Sequence, residues 1–303
     1  MTAGAVVVAG VLDATLREPP LVAHPVRVVG CYLEVAQRGV PSAPPLHAAA
    51  LGGAAWTLGA AVATALGVAV EHAVWQAPAW RRSLLLGIAL WPLFAHRLLL
   101  DEVEAVETAL ADNLETGRAA VARIVSRDVS VLSEVQVREA AIESLGENLA
   151  DSVVAPLLWF AIGGLPAAAF YRFANTADAV WGYRTPRWRH AGAVAARADD
   201  LLNLLPARVT GLALAAPSVH PRVLLREARK TPSPNAGWPM AALALRLGVR
   251  CEKPGVYTLN PTGRAPTAAD TEAALRLARR RGWALTAACA LLAAARARRR
   301  RGV

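Results

Sequence analysis

The sequence has few of the residue types that mark zinc-binding or disulfide-stabilised proteins. It contains 3 cysteines in 303 residues, and Cys31, Cys251 and Cys289 form no Cys-x-x-Cys pair, so neither a zinc knuckle nor a disulfide framework is indicated. Lysine occurs only at Lys230 and Lys253, so arginine carries nearly all of the positive charge. Arginine suits the recognition of phosphate and carboxylate groups. The chain also has no Gly-x-x-x-x-Gly-Lys-Ser/Thr loop, which excludes the common phosphate-cradling nucleotide site.

Long apolar runs are the most prominent feature that the sequence does have. Hydrophobic residues make up 55% of the chain, and its mean hydropathy is +0.33. The uncharged run 46–70 is long enough to cross a hydrocarbon core of about 30 Å, and 83–100 is a candidate return span. The apolar run 3–12 follows no basic residue and precedes no small-residue cleavage site, so we expect a retained helix rather than a signal peptide. These features predict a membrane protein.

Charge is distributed unevenly along the chain. The net charge is +10, yet 12 of the 23 acidic residues lie between positions 101 and 151. The arginine run 298–301 follows an apolar segment, and we interpret it as a cytoplasmic membrane flank rather than a nucleic-acid contact. We therefore expect the middle of the chain to be locally acidic, and we expect no nucleic-acid partner.

A stripe of carboxylates is the strongest site candidate in the acidic region. Glu139, Glu143, Glu147 and Asp151 recur every four residues, which places them along one face of a helix. Like charges at this spacing repel by about 0.2–0.5 kcal/mol per pair, so the stripe indicates a bound cation or a basic partner. A solvated helix face is the alternative that the pattern leaves open.

Three helical segments are predicted around the stripe. Residues 101–126 have apolar positions at amphipathic spacing, which predicts one helix. A second helix begins near Ser133, which fits a capping box with the glutamine three residues on. The uncharged run 152–170 is interrupted by Pro156 and by Gly-Gly-Leu-Pro at 163–166. We expect this run to be a broken helix that dips into the membrane and returns to the same side.

Several polar positions outside the stripe have two interpretations each. His24 precedes a proline, which pushes it into an extended conformation. It is either a ligand or base, or a structural hydrogen-bonding residue. Arg127, Asp128 and Ser130 lie in the predicted turn between two helices, where side chains converge on a ligand or an aspartate simply holds the turn.

Three polar clusters each adjoin an apolar segment: Glu147, Asn148 and Asp151; Asn175 and Asp178; and Asp199, Asp200 and Asn203. Groups three or four residues apart share a helix face and present oxygen atoms suited to Mg²⁺, which prefers carboxylates together with substrate phosphates. Arg127, Arg184 and Arg208 are expected to supply the opposing charge, and an arginine inside an apolar segment indicates a function. Mutual structural salt bridging is the alternative.

Five motifs, in order along the chain, resemble one known family. They are HPVRVVG at 24–30, RDVSVLSEVQVREAAIESLGENLADSVVAPLL at 127–158, GGLPAAAFYRFANTADAVWGYR at 163–184, RADDLLNLLPARVTG at 197–211 and SPNAGWPMAALALRLGV at 233–249. They are spread along most of the chain, from 24 to 249, and their length makes them far more specific than a short pattern. The sequence resembles the adenosylcobinamide-phosphate synthase family of cobalamin biosynthesis, often called the CobD/CbiB family.

The resemblance implies a multi-pass carbon–nitrogen ligase of the cell membrane whose active site faces the cytoplasm. Members attach aminopropanol, or its phosphate, by an amide bond to a propionate carboxyl of adenosylcobyric acid. The family's reaction consumes ATP and uses a divalent metal, taken here as Mg²⁺. The expected partners are therefore the corrinoid, the amino alcohol or its phosphate, ATP and the lipid bilayer, with other cobalamin-biosynthesis enzymes as further candidates.

The resemblance also implies roles for the polar residues. Catalytic roles are expected for Glu143, Glu147, Asp178, Asp199 and Arg208. Metal ligation is expected from Glu147, Asp151, Asp178, Asp199 and Asp200. Substrate binding is expected from His24, Arg127, Asp128, Ser130, Asn148, Asn175, Tyr183, Arg184, Asn203, Ser233 and Asn235. In the compact loop 233–239, Trp238 either lies against the corrin face or merely turns the chain.

One departure and two alternatives accompany the resemblance. Arg-Glu-Pro-Pro at 17–20 stands where the family usually has Gly-Asp-Pro before its His-Pro-Val motif, so the role of that aspartate does not transfer. Aspartate clusters beside membrane helices also hold Mg²⁺ and diphosphate in intramembrane prenyltransferases, which is the second interpretation. A non-enzymatic corrinoid carrier is the third.

The expected fold is all-α. We predict a polytopic membrane protein with broken or re-entrant helices and cytosolic helical segments, forming one domain over 1–303. Within it we expect an N-terminal helix and transmembrane hairpin at 1–100, a polar catalytic region at 101–219, and a C-terminal region at 220–303 with the Ser-Pro-Asn loop, an apolar helix and the arginine tail. The acidic and guanidinium groups are expected to meet in one wet pocket.

Overall fold

The computed structural model describes residues 2–20, 24–183 and 185–299, and helices dominate it. The α-helices are α1 (Thr2–Leu16), α2 (Pro25–Ala36), α3 (Pro45–Ala73), α4 (Ala79–Leu90), α5 (His96–Asp112), α6 (Leu114–Val121), α7 (Glu134–Asn148), α8 (Ala155–Gly163), α9 (Leu165–Trp181), α10 (Ala193–Leu202), α11 (Leu204–Ala215), α12 (Pro221–Ala228), α13 (Gly237–Leu247) and α14 (Ala268–Arg299). Short 3₁₀ turns cover Gln37–Gly39 and Trp91–Leu93, and a π-helical turn covers Leu149–Val154. Strands β1 (Cys251–Lys253) and β2 (Tyr257–Leu259) form an antiparallel hairpin with Cys251 opposite Leu259.

Three helical stretches among the described residues are long and apolar enough to cross a membrane: Pro45–Ala73, Ala79–Asp112 and Glu134–Gly163. The first contains the predicted span 46–70, and the second contains the predicted return span 83–100. Pro45 lies in the first turn of α3, the position at which a helix tolerates proline best. The prediction of an all-α polytopic membrane protein is confirmed.

The chain folds into two compact units, each assembled from separate stretches of sequence. Unit 1 is built from Met1–Ala95, Ala155–Leu202 and Thr286–Val303, and unit 2 from His96–Val154 and Asn203–Leu285. The subdivision at 100 and 219 that the sequence suggests stays a prediction.

The core of unit 1 forms where α3 packs along α9. Trp56 and Phe173 meet there with ring centroids 6.0 Å apart. Glycine permits the close approach of the two helices, because a Cβ on Gly59 would lie 2.4 Å from the Phe173 ring and a Cβ on Gly67 would lie 2.7 Å from Pro166. Small residues serve this purpose widely between membrane helices. Helices α2 and α10 cover further faces of α9, which places the polar residues of α9 and α10 side by side.

The apolar run 152–170 is broken at Gly164, as predicted. Gly164 has a φ of +81° and a ψ of −166°, a conformation that essentially only glycine adopts. The amide of Leu165, exposed by the break, donates to Glu71 Oε1 at 2.8 Å. A freed backbone group is thus satisfied within the protein, as a broken apolar helix requires. The predicted return of this segment to the same side of the membrane stays a prediction.

Unit 2 is organised around α7. Its start at Ser133 is confirmed, because the Ser133 hydroxyl accepts from the Gln136 amide while the Gln136 side chain accepts from the Ser133 amide. Helices α5 and α13 pack against α7. Gly146 allows the approach of α13, since a Cβ there would lie 3.0 Å from the Pro239 carbonyl oxygen. Arg138 of α7 binds Glu107 of α5 through both carboxylate oxygens, with the shortest contact at 2.7 Å.

The prediction of one helix over 101–126 is wrong. Helix α5 ends at Asp112, and Asn113 adopts an extended conformation and begins α6. Asn113 Oδ1 accepts from the Thr116 amide at 2.9 Å, which is the usual N-cap bond of an asparagine. The apolar positions continued through the break, so periodicity alone did not reveal it. Helices α5 and α6 consequently pack against each other.

Pro156 gives a physical reason for the π-helical turn at Leu149–Val154. Proline lacks an amide hydrogen, so the Ser152 carbonyl loses its α-helical partner four residues on. Widening the preceding turn by one residue is a common adjustment, and it lets the helix continue into α8.

Asp270 should make unit 2 sensitive to acid. It accepts from Arg264 through both carboxylate oxygens and from the amide and hydroxyl of Thr267 at the start of α14. The Arg264 guanidinium holds the pKa of Asp270 well below its ordinary value. A depressed pKa stabilises the fold above the unfolded value of about 3.9, and this stabilisation is lost as the pH falls toward the folded value.

We therefore expect Asp270→Asn to lower the thermal unfolding midpoint at pH 7 but to flatten its decline below pH 4. The free energy of unfolding at pH 7 should fall by about 1.5–3 kcal/mol, the range for hydrogen bonds to charged groups. Unfolding midpoints in detergent from pH 7 to pH 2.5 measure both effects. Parallel curves for the two proteins would contradict the assignment.

Candidate functional site

A buried ion pair joins α7 to the loop that precedes it. Arg127 Nη2 donates to Glu143 Oε2 at 2.6 Å, and both side chains are largely buried. Burial lowers the pKa of Arg127, but the adjoining Glu143 carboxylate outweighs burial, so the net shift is upward. Arg127 Nη1 also donates to the Glu252 carbonyl of β1 at 3.4 Å. The guanidinium is therefore charged and fixed on two sides.

A second carboxylate of the stripe pairs with the β-hairpin region. Glu139 is buried, and its Oε1 lies 3.4 Å from Arg250 Nε. Arg250 is itself half-exposed and lies 3.9 Å from Glu252 Oε2. Because Glu139 and Glu143 are buried against arginines, the interpretation of the stripe as a solvated helix face is wrong for these two positions. The basic partner that like-charge repulsion predicted is supplied by the chain itself. Glu147 and Asp151, further along, are partly exposed.

Tyr257 of β2 lies next to the Arg127–Glu143 pair. Burial raises the pKa of Tyr257 above its ordinary range, and the charge of Glu143 raises it further. The phenol therefore keeps its proton at neutral pH and can donate a hydrogen bond. Tyr257 is only partly buried, so it lies where the buried pair approaches the protein surface.

The buried carboxylates have unused hydrogen-bonding capacity. Within the described residues, Glu143 Oε1 and Glu139 Oε2 are buried and have no hydrogen-bond partner. An unpaired buried carboxylate oxygen is unfavourable, and where a fold retains one it is a candidate for contact with a ligand or a proton. This group of Arg127, Glu139, Glu143, Arg250 and Tyr257 is called the α7 cluster below.

The turn that holds Arg127 explains two other predicted residues by local structure. Asp128 Oδ1 accepts from the Ser130 amide at 2.9 Å and from its hydroxyl at 2.7 Å. The Ser130 amide, followed by the Ser130 hydroxyl, lowers the pKa of Asp128, and both residues are exposed. An aspartate that holds its own turn is the simpler of the two interpretations for Asp128 and Ser130. Their predicted substrate contacts stay predictions.

His24 has a structural role at the start of α2. Its backbone is extended, as predicted from the following proline, and its Nδ1 accepts from the Val26 amide at 3.3 Å. Its Nε2 lies 3.3 Å from Glu18 Oε2. Glu18 belongs to the Arg-Glu-Pro-Pro segment that stands where the family usually has Gly-Asp-Pro, so this chain has a carboxylate beside the histidine.

We expect His24→Asn to preserve the start of α2 and His24→Ala to weaken it. Asparagine is a strong N-cap residue, whereas alanine leaves the amide without its acceptor, a loss of about 1 kcal/mol. Thermal unfolding midpoints of the two variants in detergent measure the difference. Equal midpoints would show that the capping bond contributes nothing, and His24 would then be assigned to substrate contact.

Asn175 and Asp199, one residue from each of two predicted polar clusters, meet in unit 1. Asn175 Nδ2 of α9 donates to Asp199 Oδ1 of α10 at 3.1 Å, and Asp199 is buried. Asp178 lies almost one turn further along α9. Its side chain packs against Gly182, where a Cβ would clash with Asp178 Oδ1. Asp200 is partly buried.

The other predicted residues of this region are in different situations. Tyr183 is 45% exposed. Arg184 lies outside the described residues. In unit 2, Asn148 Nδ2 donates to the carbonyl and hydroxyl of Ser144, each at 3.1 Å, and Asn203 is buried at the start of α11.

A cavity of about 350 Å³ lies in unit 2 beside Arg208. Arg208 Nη1 donates to the Leu204 carbonyl at 2.7 Å and to Asn235 Oδ1 at 3.1 Å. Its guanidinium lies over the Trp238 ring, 5.2 Å from the centroid. Ser233 Oγ accepts from the backbone amides of Asn235 and Ala236, and these two bonds shape the Ser-Pro-Asn loop. The loop therefore places Asn235 and Trp238 against Arg208 and Ser233 in the same cavity lining, an arrangement that the sequence did not predict.

Metal ligation is not preorganised among the described residues. Within 2–20, 24–183 and 185–299, no three His, Cys, Asp or Glu side chains form a group that could hold a metal ion. The ligand set of Glu147, Asp151, Asp178, Asp199 and Asp200 stays a prediction. The convergence of these groups with Arg208 in one cavity also stays a prediction.

Residues 6–280 match the CobD/Cbib protein family. The chain belongs to the CobD/CbiB family. It is 42% identical over 247 residues to the cobalamin biosynthesis protein CobD of Rhodobacter capsulatus, which covers 77% of this chain and 79% of that protein. It is 37% identical over 291 residues to the cobalamin biosynthesis protein CobD of Brucella suis, covering 88% of this chain and 89% of the relative. No solved structure matches the chain.

A third relative extends the comparison. The probable cobalamin biosynthesis protein CobD of Methanothermobacter thermautotrophicus is 37% identical over 257 residues, covering 82% of this chain and 84% of that protein. The resemblance found in the five motifs is thereby confirmed, and the chain is placed among cobalamin biosynthesis proteins.

The sequence did not predict which residues of the C-terminal third of this CobD/CbiB chain contact the α7 carboxylates or line the Arg208 cavity. Arg250 and Tyr257 of the α7 cluster lie in the hairpin region, and Arg229 lies beside the Arg208 cavity. Arg250 and Glu139 are 111 positions apart, so no spacing rule connects them. The one available signal was the like-charge stripe itself, which required a basic partner without showing where it lies.

Proposed function

We propose that this chain joins aminopropanol or its O-phosphate to a propionate carboxyl of adenosylcobyric acid through an amide bond, using ATP and Mg²⁺. Two observations support the proposal. The chain belongs to the CobD/CbiB family over most of its length. It also holds a buried carboxylate of α7 in contact with a buried guanidinium of the preceding loop, and both belong to one of the family motifs. The second observation carries the mechanistic part of the proposal.

Amide formation from a carboxylate requires activation. In the proposed sequence, a carboxylate oxygen of the corrinoid attacks the γ-phosphorus of ATP, the bond to the ADP oxygen breaks, and an acyl phosphate forms. The amine nitrogen then attacks the acyl carbon, the carbon–oxygen bond to phosphate breaks, and inorganic phosphate leaves. The amine is an ammonium ion at neutral pH, so it must lose a proton before it attacks.

We assign Glu143 as the base that accepts this proton. Its Oε2 is held by Arg127, while its Oε1 has no hydrogen-bond partner in the described part of the chain. A carboxylate fixed at one oxygen and open at the other is suited to accept a proton from an ammonium ion placed beside it. Tyr257 keeps its phenolic proton beside Glu143, and we assign it to donate a hydrogen bond to an oxygen of the bound substrate.

The metal would bind together with the phosphates of the nucleotide. Mg²⁺ commonly binds proteins through one or two carboxylates plus substrate phosphates, so a ready-made group of three protein ligands is not required. Glu147 and Asp151 are partly exposed on the helix that carries Glu143 and are the carboxylates we assign to it. Bound Mg²⁺ would spread the charge of the phosphoryl oxygens.

We further propose that the site faces the cytoplasm. The arginine run 298–301 follows an apolar segment in the sequence, and such runs concentrate on the cytoplasmic side of membranes. ATP is a cytoplasmic co-substrate, which agrees with this orientation.

Purified protein in detergent or nanodiscs tests the activity. Incubation with adenosylcobyric acid, ATP, Mg²⁺ and either aminopropanol or its phosphate should yield the corresponding corrinoid amide, separated chromatographically, with one ADP formed per amide. Omission of ATP should abolish product. A carrier would bind the corrinoid without turnover, and a prenyltransferase would instead consume a polyprenyl diphosphate. Either result would overturn the proposal.

A further inference from the structure

Three arginines follow one face of α12 in unit 2. Arg222, Arg226 and Arg229 are three or four positions apart, the spacing that places side chains on the same face of a helix, and all three are exposed. The only acidic residue of α12, Glu227, is buried and pairs with Lys230 at 2.7 Å. Among the described residues, none of the three guanidinium groups has a carboxylate at ion-pairing distance. The three residues are called the α12 arginine face below.

The opposite face of α12 is fixed to the rest of unit 2. Leu224 and Ala228 are buried, and the helix packs against α13 and α11. Its first turn is capped, because His220 Nδ1 accepts from the Arg222 amide at 3.2 Å. The arginines are therefore presented outward by an anchored helix, and their backbone does not have to become ordered when a partner binds.

The preceding helix, α11, is apolar on two sides. One side packs against α13, where Leu214 is buried and a Cβ on Gly211 would lie 2.8 Å from the Trp238 carbonyl oxygen. On the other side Leu205 is 51% exposed and Leu212 is 42% exposed, and their separation of seven positions places them on one face. Exposed leucines grouped in this way indicate contact with a membrane or a partner. This pair is called the α11 leucine face below.

The length of α11 limits how it meets a membrane. Its 12 residues extend about 18 Å, which is less than the hydrocarbon thickness of about 30 Å, so the helix does not cross by itself. Only positions 216–220 separate it from α12. A short apolar helix followed at once by a basic one fits the boundary between acyl chains and headgroups. The membrane-spanning stretches of this chain bring such a boundary to the protein.

We propose that the α12 arginine face binds the headgroups of anionic phospholipids while the α11 leucine face contacts their acyl chains. A guanidinium offers paired donors that match phosphate oxygens. Each arginine beside a membrane strengthens the binding of anionic lipid about fivefold. A zwitterionic headgroup gains less, because its own positive charge offsets that of its phosphate. This lipid site lies outside the proposed amidation and depends on none of its residues.

Photoactivatable lipids test the proposal. The full-length protein is placed in phosphatidylcholine nanodiscs that carry a trace of one diazirine lipid, and labelled peptides are located by mass spectrometry after illumination. We expect phosphatidylglycerol with a headgroup diazirine to label α12 about tenfold more than phosphatidylcholine with the same headgroup probe. An acyl-chain probe should label α11 in preference to α12. Equal labelling of α12 by the two headgroup probes would overturn the proposal.

Variants test whether the positive charge of α12 is responsible. Replacing both Arg222 and Arg226 with glutamine should lower phosphatidylglycerol labelling of α12 by about 25-fold, or fivefold for each arginine. Replacing both with lysine keeps the charge and should keep most of the labelling. Because both side chains are exposed, the fold should survive either change, which unfolding midpoints verify. Unchanged labelling in the glutamine variant, or an equal loss in the lysine variant, would overturn the proposal.

The combined Arg276→Gln and Arg280→Gln variant is the matched control. These arginines of α14 are also exposed and four positions apart, so the same charge is removed from another helix. Labelling of α12 should not change, and a loss equal to that of the α12 variant would show a non-specific effect of net charge and overturn the site.

Salt and composition separate a lipid from other anionic partners. Raising the salt concentration from about 0.1 M to about 1 M shortens the Debye length from about 10 Å to about 3 Å, so labelling of the exposed α12 arginine face should fall. Unlabelled phosphatidylglycerol should compete with the probe, and added phosphatidylcholine should not. If the face instead binds an acidic protein, α12 will show no preference for the anionic probe in these nanodiscs, which overturns the proposal. Since no corrinoid, amine or nucleotide is present, the result is independent of the amidation reaction.

Discussion

Glu143→Gln should lower the rate of corrinoid amide formation by about 100-fold to 10,000-fold, the usual contribution of a general base. Glutamine keeps the shape of the side chain and can still accept from Arg127, but it cannot take a proton from the amine. The measurement is amide formed per minute at saturating ATP, corrinoid and amine. Glu272→Gln is the matched control, because Glu272 is 65% exposed and, within the described residues, its only ion pair is with Arg276 one turn away.

The same substitution also affects folding, and the two effects need to be separated. Removing one partner of a buried ion pair leaves the other charge uncompensated, at a cost of about 3–5 kcal/mol. Adding Arg127→Met to Glu143→Gln removes that charge and should restore part of the lost stability. It should not restore activity. Recovery of activity in the double variant, or full activity in Glu143→Gln, would exclude Glu143 as the base.

Gly164→Ala should destabilise unit 1 by about 2–4 kcal/mol. Backbone strain of about 1–3 kcal/mol arises because alanine does not adopt the conformation of Gly164. The new Cβ would also lie 2.2 Å from Glu71 Oε1, so Glu71 must move and give up its hydrogen bond with the Leu165 amide, a further loss of about 0.5–1.5 kcal/mol. The loss is measured by thermal unfolding in detergent, monitored as the fraction of protein that remains monodisperse.

Gly30→Ala provides the matched control for this experiment. Gly30 lies inside α2, has an ordinary backbone conformation, and a Cβ there would meet no atom within 4 Å. Alanine should therefore be neutral or should stabilise the helix by up to about 1 kcal/mol. Equal unfolding midpoints for Gly164→Ala and the unmodified chain would show that the break between α8 and α9 does not depend on glycine.

Features determined by neighbouring residues were predictable from sequence. The capping box at Ser133, the extended backbone of His24 and the break near Gly164 each depend on a few adjacent positions, and the structure contains all three. The end of α5 was missed because Asn113 interrupts a pattern whose apolar positions continue beyond it. An asparagine cap can be recognised from the sequence as the start of a new helix only when the spacing of the apolar residues also changes there.

Features determined by distant residues were not predictable. The like charges of the stripe required a partner, but the identity of Arg250 follows from a hairpin 111 positions away. Asn175 and Asp199 appeared as members of separate clusters, and the packing of α9 on α10 brings them to 3.1 Å. Family resemblance named many of these residues without saying which of them touch. Physical contact therefore had to come from the structure.

The π-helical turn at Leu149–Val154 changes how positions map onto faces of the long helical stretch. A turn that holds one extra residue rotates everything after it by about 100° relative to a regular helix. Counting in fours from Glu139 identifies the arginine-facing side of α7 only as far as Asn148. From Leu149 onward the spacing of four no longer marks one face, so a helical wheel drawn from Glu139 would misplace the residues of the π-helical turn, Asp151 among them.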